Sequence, residues 1–145
     1  MDFEEALSYI NLGNCLLFVG SGFSIGAINS CGTNLPTGFD LAKILYQECN
    51  EPSDEGNLQD ASNLYIEQFG ETSLVNHLKS LFLIKDPRNI TNDQKFITSL
   101  PWKRVYTTNY DNIIELGYKH SGREIYPKTL SDRLLDFNKK NKLCH

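Results

Sequence analysis

Two short polar clusters hold the side chains of this chain best suited to chemistry. The first is Gly20-Ser21-Gly22-Phe23-Ser24, placed directly after the apolar run Cys15 to Val19. Glycines at 20 and 22 free the backbone to turn and to approach a ligand closely. Backbone N–H groups beyond the turn can then face a phosphate, helped by a helix dipole. The hydroxyls of Ser21 and Ser24 can donate to phosphate oxygens as well. Gly20, Gly22 and Gly26 are spaced as G-x-G-x-x-x-G, a variant of the dinucleotide fingerprint. The same glycines also suit a plain tight turn at a strand end.

The second cluster is Thr107-Thr108-Asn109-Tyr110-Asp111. The Asn109 amide is both donor and acceptor, so it can bind a ribose hydroxyl and hold a water. The Asp111 carboxylate can accept two hydrogen bonds from an amide. The competing reading is that Asn109 or Asp111 merely caps the helix that follows.

Elements must bring these clusters together. Cys15 to Val19 has the length and unbroken apolarity of a strand buried on both faces, as in parallel sheets. Arg104 to Thr108 is β-branched and aromatic and reads as a second strand. Asp2, with Glu5 three residues on, starts a first helix that Gly13 ends. Ile25 to Gly38 reads as a loop. Thr37 and Asp40 open a helix carrying Leu41, Ile44 and Leu45. Asn57 caps another that runs to Phe69 and breaks at Gly70. Leu74 to Phe82 marks the next, stopped by Pro87, and Thr91 with Gln94 caps a further one. These middle helices are expected to form a layer over the sheet. Ile113, Ile114 and Leu116 mark a helix after the second cluster. Arg123 to Tyr126 is expected as a short strand and Leu130 to Phe137 as a short helix. This alternation predicts an α/β fold with a parallel sheet and crossover helices. Ligands of such sheets bind outside the carboxyl ends of the strands. If the two strands are neighbours, Ser21, Ser24, Asn109 and Asp111 converge on one crevice.

Composition limits the function classes. The chain has 145 residues, 40% of them hydrophobic, which suits one globular domain. A net charge of −4 argues against a general nucleic-acid binder. No apolar run nears the roughly 20 residues of a membrane span, and the acidic start lacks the basic residues of a signal peptide. A cytoplasmic protein without membrane or direct nucleic-acid contact is therefore expected. Cys15, Cys31, Cys49 and Cys144 form no C-x-x-C pair, which predicts reduced thiols and no metal site. Leu143-Cys144-His145 looks like the opening of another strand, so the domain is expected to continue in a larger protein.

Phe18-Val19-Gly20-Ser21-Gly22-Phe23-Ser24 resembles the Gly-Ala-Gly-(Ile/Val)-Ser motif of sirtuins. Thr107-Thr108-Asn109-Tyr110-Asp111 resembles their Thr-Gln-Asn-Ile-Asp motif. Both are closer to the SIR2-like domains of bacterial anti-phage defence proteins, as is Leu35-Pro36-Thr37-Gly38 followed by Leu41-Ala42. The motifs span Leu16 to Asp111. The resemblance implies a Rossmann-like domain that binds NAD. It places the pyrophosphate on the loop of Gly20, Ser21, Gly22, Phe23 and Ser24, Asn109 at the nicotinamide ribose, and Asp111 at the nicotinamide. It also implies a catalytic histidine, usually in a His-Gly pair. That pair is missing, and His145 lies about where the family's histidine strand begins. His77 and His120 read as structural or solvated.

Sirtuin deacylases carry Pro-Asp-Phe-Arg after the glycine loop and a zinc module with two C-x-x-C pairs. This chain has Pro36-Thr37-Gly38-Phe39 and no such pair. The expectation is therefore an NAD glycohydrolase that releases nicotinamide and ADP-ribose. Asn109 would position ribose and water, Asp111 would orient nicotinamide, and a histidine would act as general base. By the resemblance it would deplete NAD after phage infection, restrained until oligomerisation or a partner releases it. One alternative is a module that binds NAD or ADP-ribose without cleaving it. An NAD-dependent dehydrogenase ranks lower, because the nearest acidic residue at fingerprint distance, Asp40, falls at a helix start.

Overall fold

The apolar run after Asn14 is extended as β1 (Leu16–Val19). Beside it lies β2 (Arg104–Thr107), parallel and in register from Leu16 opposite Arg104 to Val19 opposite Thr107. This geometry comes from a computed structural model that describes residues 2–51 and 57–128. Among the described residues the chain is mixed α/β, with six α-helices and this two-stranded parallel sheet. The expected strand at Arg123 to Tyr126 is absent: those residues are irregular. Arg123 is turned back instead. Its guanidinium donates to the carbonyls of Thr98 and Leu100 and lies 4.5 Å over the Tyr118 ring. Burial pushes the Tyr118 phenol up, opposed by that guanidinium. The expected helix at Leu130 to Phe137 lies outside the described residues.

The helices start where capping chemistry predicts. In α1 (Phe3–Asn11) the Asp2 carboxylate accepts the Glu5 N–H at 2.8 Å. Thr37 and Asp40 close a reciprocal capping box on α2 (Gly38–Glu48), and the Thr37 hydroxyl holds the Asp40 carboxyl below its ordinary range. Asn57 caps α3 (Leu58–Phe69), and Gly70 ends it at φ 85°, where a side chain would be strained. Helix α4 (Glu71–Phe82) stops well before Pro87, which instead opens a 3₁₀ turn, Pro87–Asn89. Thr91 and Gln94 close a second box on α5 (Asn92–Ser99), and α6 (Ile113–His120) follows β2. No helix among the described residues is long and apolar enough to cross a membrane.

The helical block does not cover the sheet as expected. Helices α2, α3 and α4 pack on one another around Leu41, Leu45, Ala61, Tyr65 and Phe82. The inner face of the sheet is covered by α6, whose Ile114 and Tyr118 meet Val19, with Leu17 and Val105 alongside. Ile84, Ile90, Ile113 and Leu116 join the two regions. Among the described residues nothing covers the other face of β1, where Leu16 is 57% and Phe18 71% exposed, in place of the burial on both faces expected. Periodicity marks which face of a helix is apolar; it does not say which partner covers it.

Asn29 anchors the long loop after β1. It is 2% exposed. Its Oδ1 accepts the N–H groups of Cys31 and Thr33 at 3.0 Å, and its Nδ2 donates to the Leu81 carbonyl at 3.1 Å. Asn29→Ala should therefore cost about 2 kcal/mol, because buried polar groups lose their partners. Denaturant unfolding measures this, and a loss below about 0.5 kcal/mol would contradict the assignment.

Candidate functional site

Parallel pairing puts both strand ends on one side of the molecule. Val19 and Thr107 are the last partners, so Gly20 and Thr108 leave the sheet side by side. The two clusters then lock together. Asn109 Nδ2 donates to the Gly20 carbonyl and to Ser24 Oγ, each at 2.9 Å. Ser24 Oγ in turn donates to Asp111 Oδ2 at 2.5 Å, the short contact expected of a hydroxyl on a carboxylate. The other Asp111 oxygen accepts the N–H of Ile113, the first residue of α6, at 3.0 Å. Thr107 Oγ1 accepts the Asn109 N–H at 3.0 Å and fixes the turn out of β2.

These bonds define what Asn109 has left to offer. Both amide hydrogens are spent on the glycine loop, while its carbonyl Oδ1 has no partner among the described residues. Toward a ligand Asn109 is thus an acceptor, fit to orient a hydroxyl or a water. Ser24 is 9% exposed and is the relay of the network. Ser24→Ala would leave Asp111 Oδ2 without its donor and cost about 2 kcal/mol, the usual scale for a hydrogen bond to a charged group. An unchanged denaturant midpoint would contradict this.

The glycine loop departs from expectation in one respect. Its helix is a single 3₁₀ turn, Ser21–Ser24, and the next α-helix starts only at Gly38. Four residues align too few peptides to give a strong dipole. Nor do the first two glycines provide a left-handed turn: Gly20 is extended at φ −120°, and Gly22 is not among the residues with positive φ. What they provide is space, since a Cβ at either would meet nothing within 4 Å. The left-handed position is Gly26, at φ 83°.

The remaining expected site residues are distributed as follows. Ser21 is exposed, with its hydroxyl free among the described residues, so it can meet a phosphate. Phe23 is half-buried and packs against the apolar clusters that hold Ile84 and Val19. Tyr110 is exposed and touches the Phe82 ring at 5.8 Å between centroids. His145 lies outside the described residues. His77, on α4, stacks on Tyr65 at 5.7 Å with Nε2 3.4 Å from Glu48 Oε1, and His120 is exposed at the end of α6.

Two contributors escaped the sequence reading. Asn112 pairs with the backbone of Ile84 through both ends of its amide, at 2.9 Å each, and anchors the second cluster to the segment after α4. Gln94, read only as a cap, reaches the glycine loop. Its Nε2 donates to the carbonyls of Phe23 at 2.6 Å and Ile25 at 3.3 Å. Between loop and helix lies a depression of about 280 Å³, with Gly22, Phe23 and Ile25 on one side and Thr91, Gln94 and Ile97 on the other. Neither contact has a local signal: each joins residues far apart in the chain. Among the described residues no cluster of three His, Cys, Asp or Glu side chains is placed to hold a metal. A scan of protein-family models and a search of curated proteins found no match to this chain.

Proposed function

We propose that this chain binds NAD across the two clusters and hydrolyses it to nicotinamide and ADP-ribose. The observation that carries this reading is the Asn109–Ser24–Asp111 network. It joins a glycine loop and a polar turn at the carboxyl ends of two parallel strands, where α/β sheets take nucleotides. The likeness of both clusters to SIR2-like motifs supplies the identity of the nucleotide and, beyond the two paired strands, a Rossmann-like sheet flanked by helices. The lack of C-x-x-C pairs favours cleavage by water over the zinc-bearing deacylases.

In the proposed reaction the bond from ribose C1′ to the nicotinamide nitrogen breaks, and its electron pair leaves with nicotinamide. Positive charge then builds on the ribose, as in other glycosidic cleavages. Gly20 and Gly22 leave room for the pyrophosphate, and Ser21 donates to it. Asn109 Oδ1 accepts from the ribose hydroxyl or from the attacking water. Asp111 lies beside them to orient the carboxamide. A histidine takes the proton from water, the role given to His145. The setting proposed is cytoplasmic: NAD depletion after phage infection, restrained until oligomerisation or a partner protein releases it, with no membrane or direct nucleic-acid contact.

A second reading, a sensor that binds NAD or ADP-ribose intact, draws on the same network. The Asn109 hydrogens are satisfied internally, so the loops keep their shape without substrate. Incubating the full-length protein with NAD separates the two. Hydrolysis gives nicotinamide and ADP-ribose in equal amounts. Binding without nicotinamide release supports the sensor. Formation of NADH would show a dehydrogenase, and binding of neither NAD nor ADP-ribose would overturn the proposal.

A further inference from the structure

We infer that Gln94 is a positioning residue that sets the shape of the glycine loop from α5, and through it the affinity for the nucleotide. Only the ligand in this inference rests on the NAD reading. Gln94 is 3% exposed and uses both ends of its amide. Its Oε1 accepts the Thr91 N–H at 2.7 Å, which closes the capping box of α5. Its Nε2 donates to the carbonyls of Phe23 and Ile25, the residues on either side of Ser24. Ser24 is the relay to Asn109 and Asp111, so Gln94 grips the backbone around the centre of the network.

The choice of glutamine is itself informative. A capping box is closed as well by glutamate as by glutamine. A glutamate here would direct a carboxylate oxygen at two carbonyl oxygens, because it has no N–H to donate. The helix cap therefore tolerates either residue, while the loop contact requires the amide. A second contact presses the same helix start against the loop. A Cβ at Gly26 would stand 3.1 Å from Thr91 Cγ2, so the loop passes α5 closely at its left-handed residue. The start of α5 thus acts as a jig for Phe23 to Gly26.

The test compares Gln94→Glu with Thr91→Val, which keeps the Cγ2 methyl facing Gly26, in the full-length protein. The first keeps an acceptor for the cap and loses the grip on the loop. The second removes the cap hydroxyl and leaves the Gln94 amide in place. Amide hydrogen exchange reads the loop directly, since Phe23 N–H donates to Gly20 and Ile25 N–H to Gly22. Exchange at these two positions should quicken at least about tenfold in Gln94→Glu and stay near wild type in Thr91→Val. The Kd for ADP-ribose, and the KM for NAD where turnover is seen, should rise about tenfold in Gln94→Glu alone, the scale of one lost hydrogen bond. A merely structural role would lower the folded fraction and leave Kd and KM of the folded protein unchanged. Should Gln94→Glu fail to fold, Gln94→Met removes the donors without adding charge and is held to the same values. A folded Gln94 variant with wild-type exchange and Kd overturns the inference, as does equal weakening by Thr91→Val. If the wild-type protein binds neither NAD nor ADP-ribose, the nucleotide role falls with the ligand reading. Exchange then still decides whether Gln94 holds the loop.

Discussion

Asn109→Ala is expected to lower nicotinamide release from NAD by at least about 100-fold, the usual cost of removing one preorganised polar group from a reacting centre. Two losses combine. The substitution deletes the acceptor Oδ1 proposed to orient ribose or water. It also removes the donors that tie Gly20 and Ser24 to the second cluster. Asn109→Asp separates these effects, since it keeps an acceptor of the same shape and loses both donors. An oxygen would then face the Gly20 carbonyl, and the loop should part from the turn after β2. Nicotinamide release should therefore fall in both variants, with ADP-ribose affinity weakened more in Asn109→Asp. Steady-state release, corrected for folded fraction by the thermal midpoint, measures this. Activity of Asn109→Ala within about threefold of wild type would remove Asn109 from the chemistry.

Gly117→Ala should destabilise the protein by about 2 kcal/mol or more, through overpacking. The sign is the informative part, because Gly to Ala inside a helix ordinarily gains about 1 kcal/mol. Gly117 is buried in α6 where that helix meets α5. A Cβ there would stand 2.1 Å from Thr98 Oγ1 and 2.6 Å from Thr98 Cβ. Thr98 cannot swing away freely: it is fully buried, and its hydroxyl donates to the Gln94 carbonyl at 2.7 Å. The added methyl would push α5 and α6 apart, and Gln94 would carry the displacement to the glycine loop. Denaturant unfolding should show the loss, and Thr98→Ala in the same chain should recover part of it. A Gly117→Ala protein as stable as wild type would contradict the packing described.

The parts of this fold that are legible in sequence are those decided locally. Thr37 with Asp40, Asn57, and Thr91 with Gln94 start helices because a side chain satisfies backbone N–H groups two or three residues away. β1 and β2 are legible from their apolar and β-branched runs, and their parallel pairing follows from the helices between them. Other features were not legible because they depend on distant partners. Arg123 looked like the start of a strand, yet its guanidinium finds the carbonyls at the end of α5. The packing of α2, α3 and α4 on one another was invisible, since an apolar stripe does not name its partner. At the site, Ser24, Asn109 and Asp111 were legible as candidates, and the strand pairing brings them into hydrogen-bond contact. Gln94 and Asn112 were not, because their second bonds cross to remote backbone with no mark in the local pattern.

The central claim is that one nucleotide spans both clusters. It is tested most directly by amide hydrogen exchange on the full-length protein with and without ADP-ribose, a ligand that needs no turnover. The account predicts slower exchange at residues 20–24 and 108–111 together, with the Asp86–Asn89 turn unchanged. Protection at neither cluster, or only elsewhere in the chain, would contradict it.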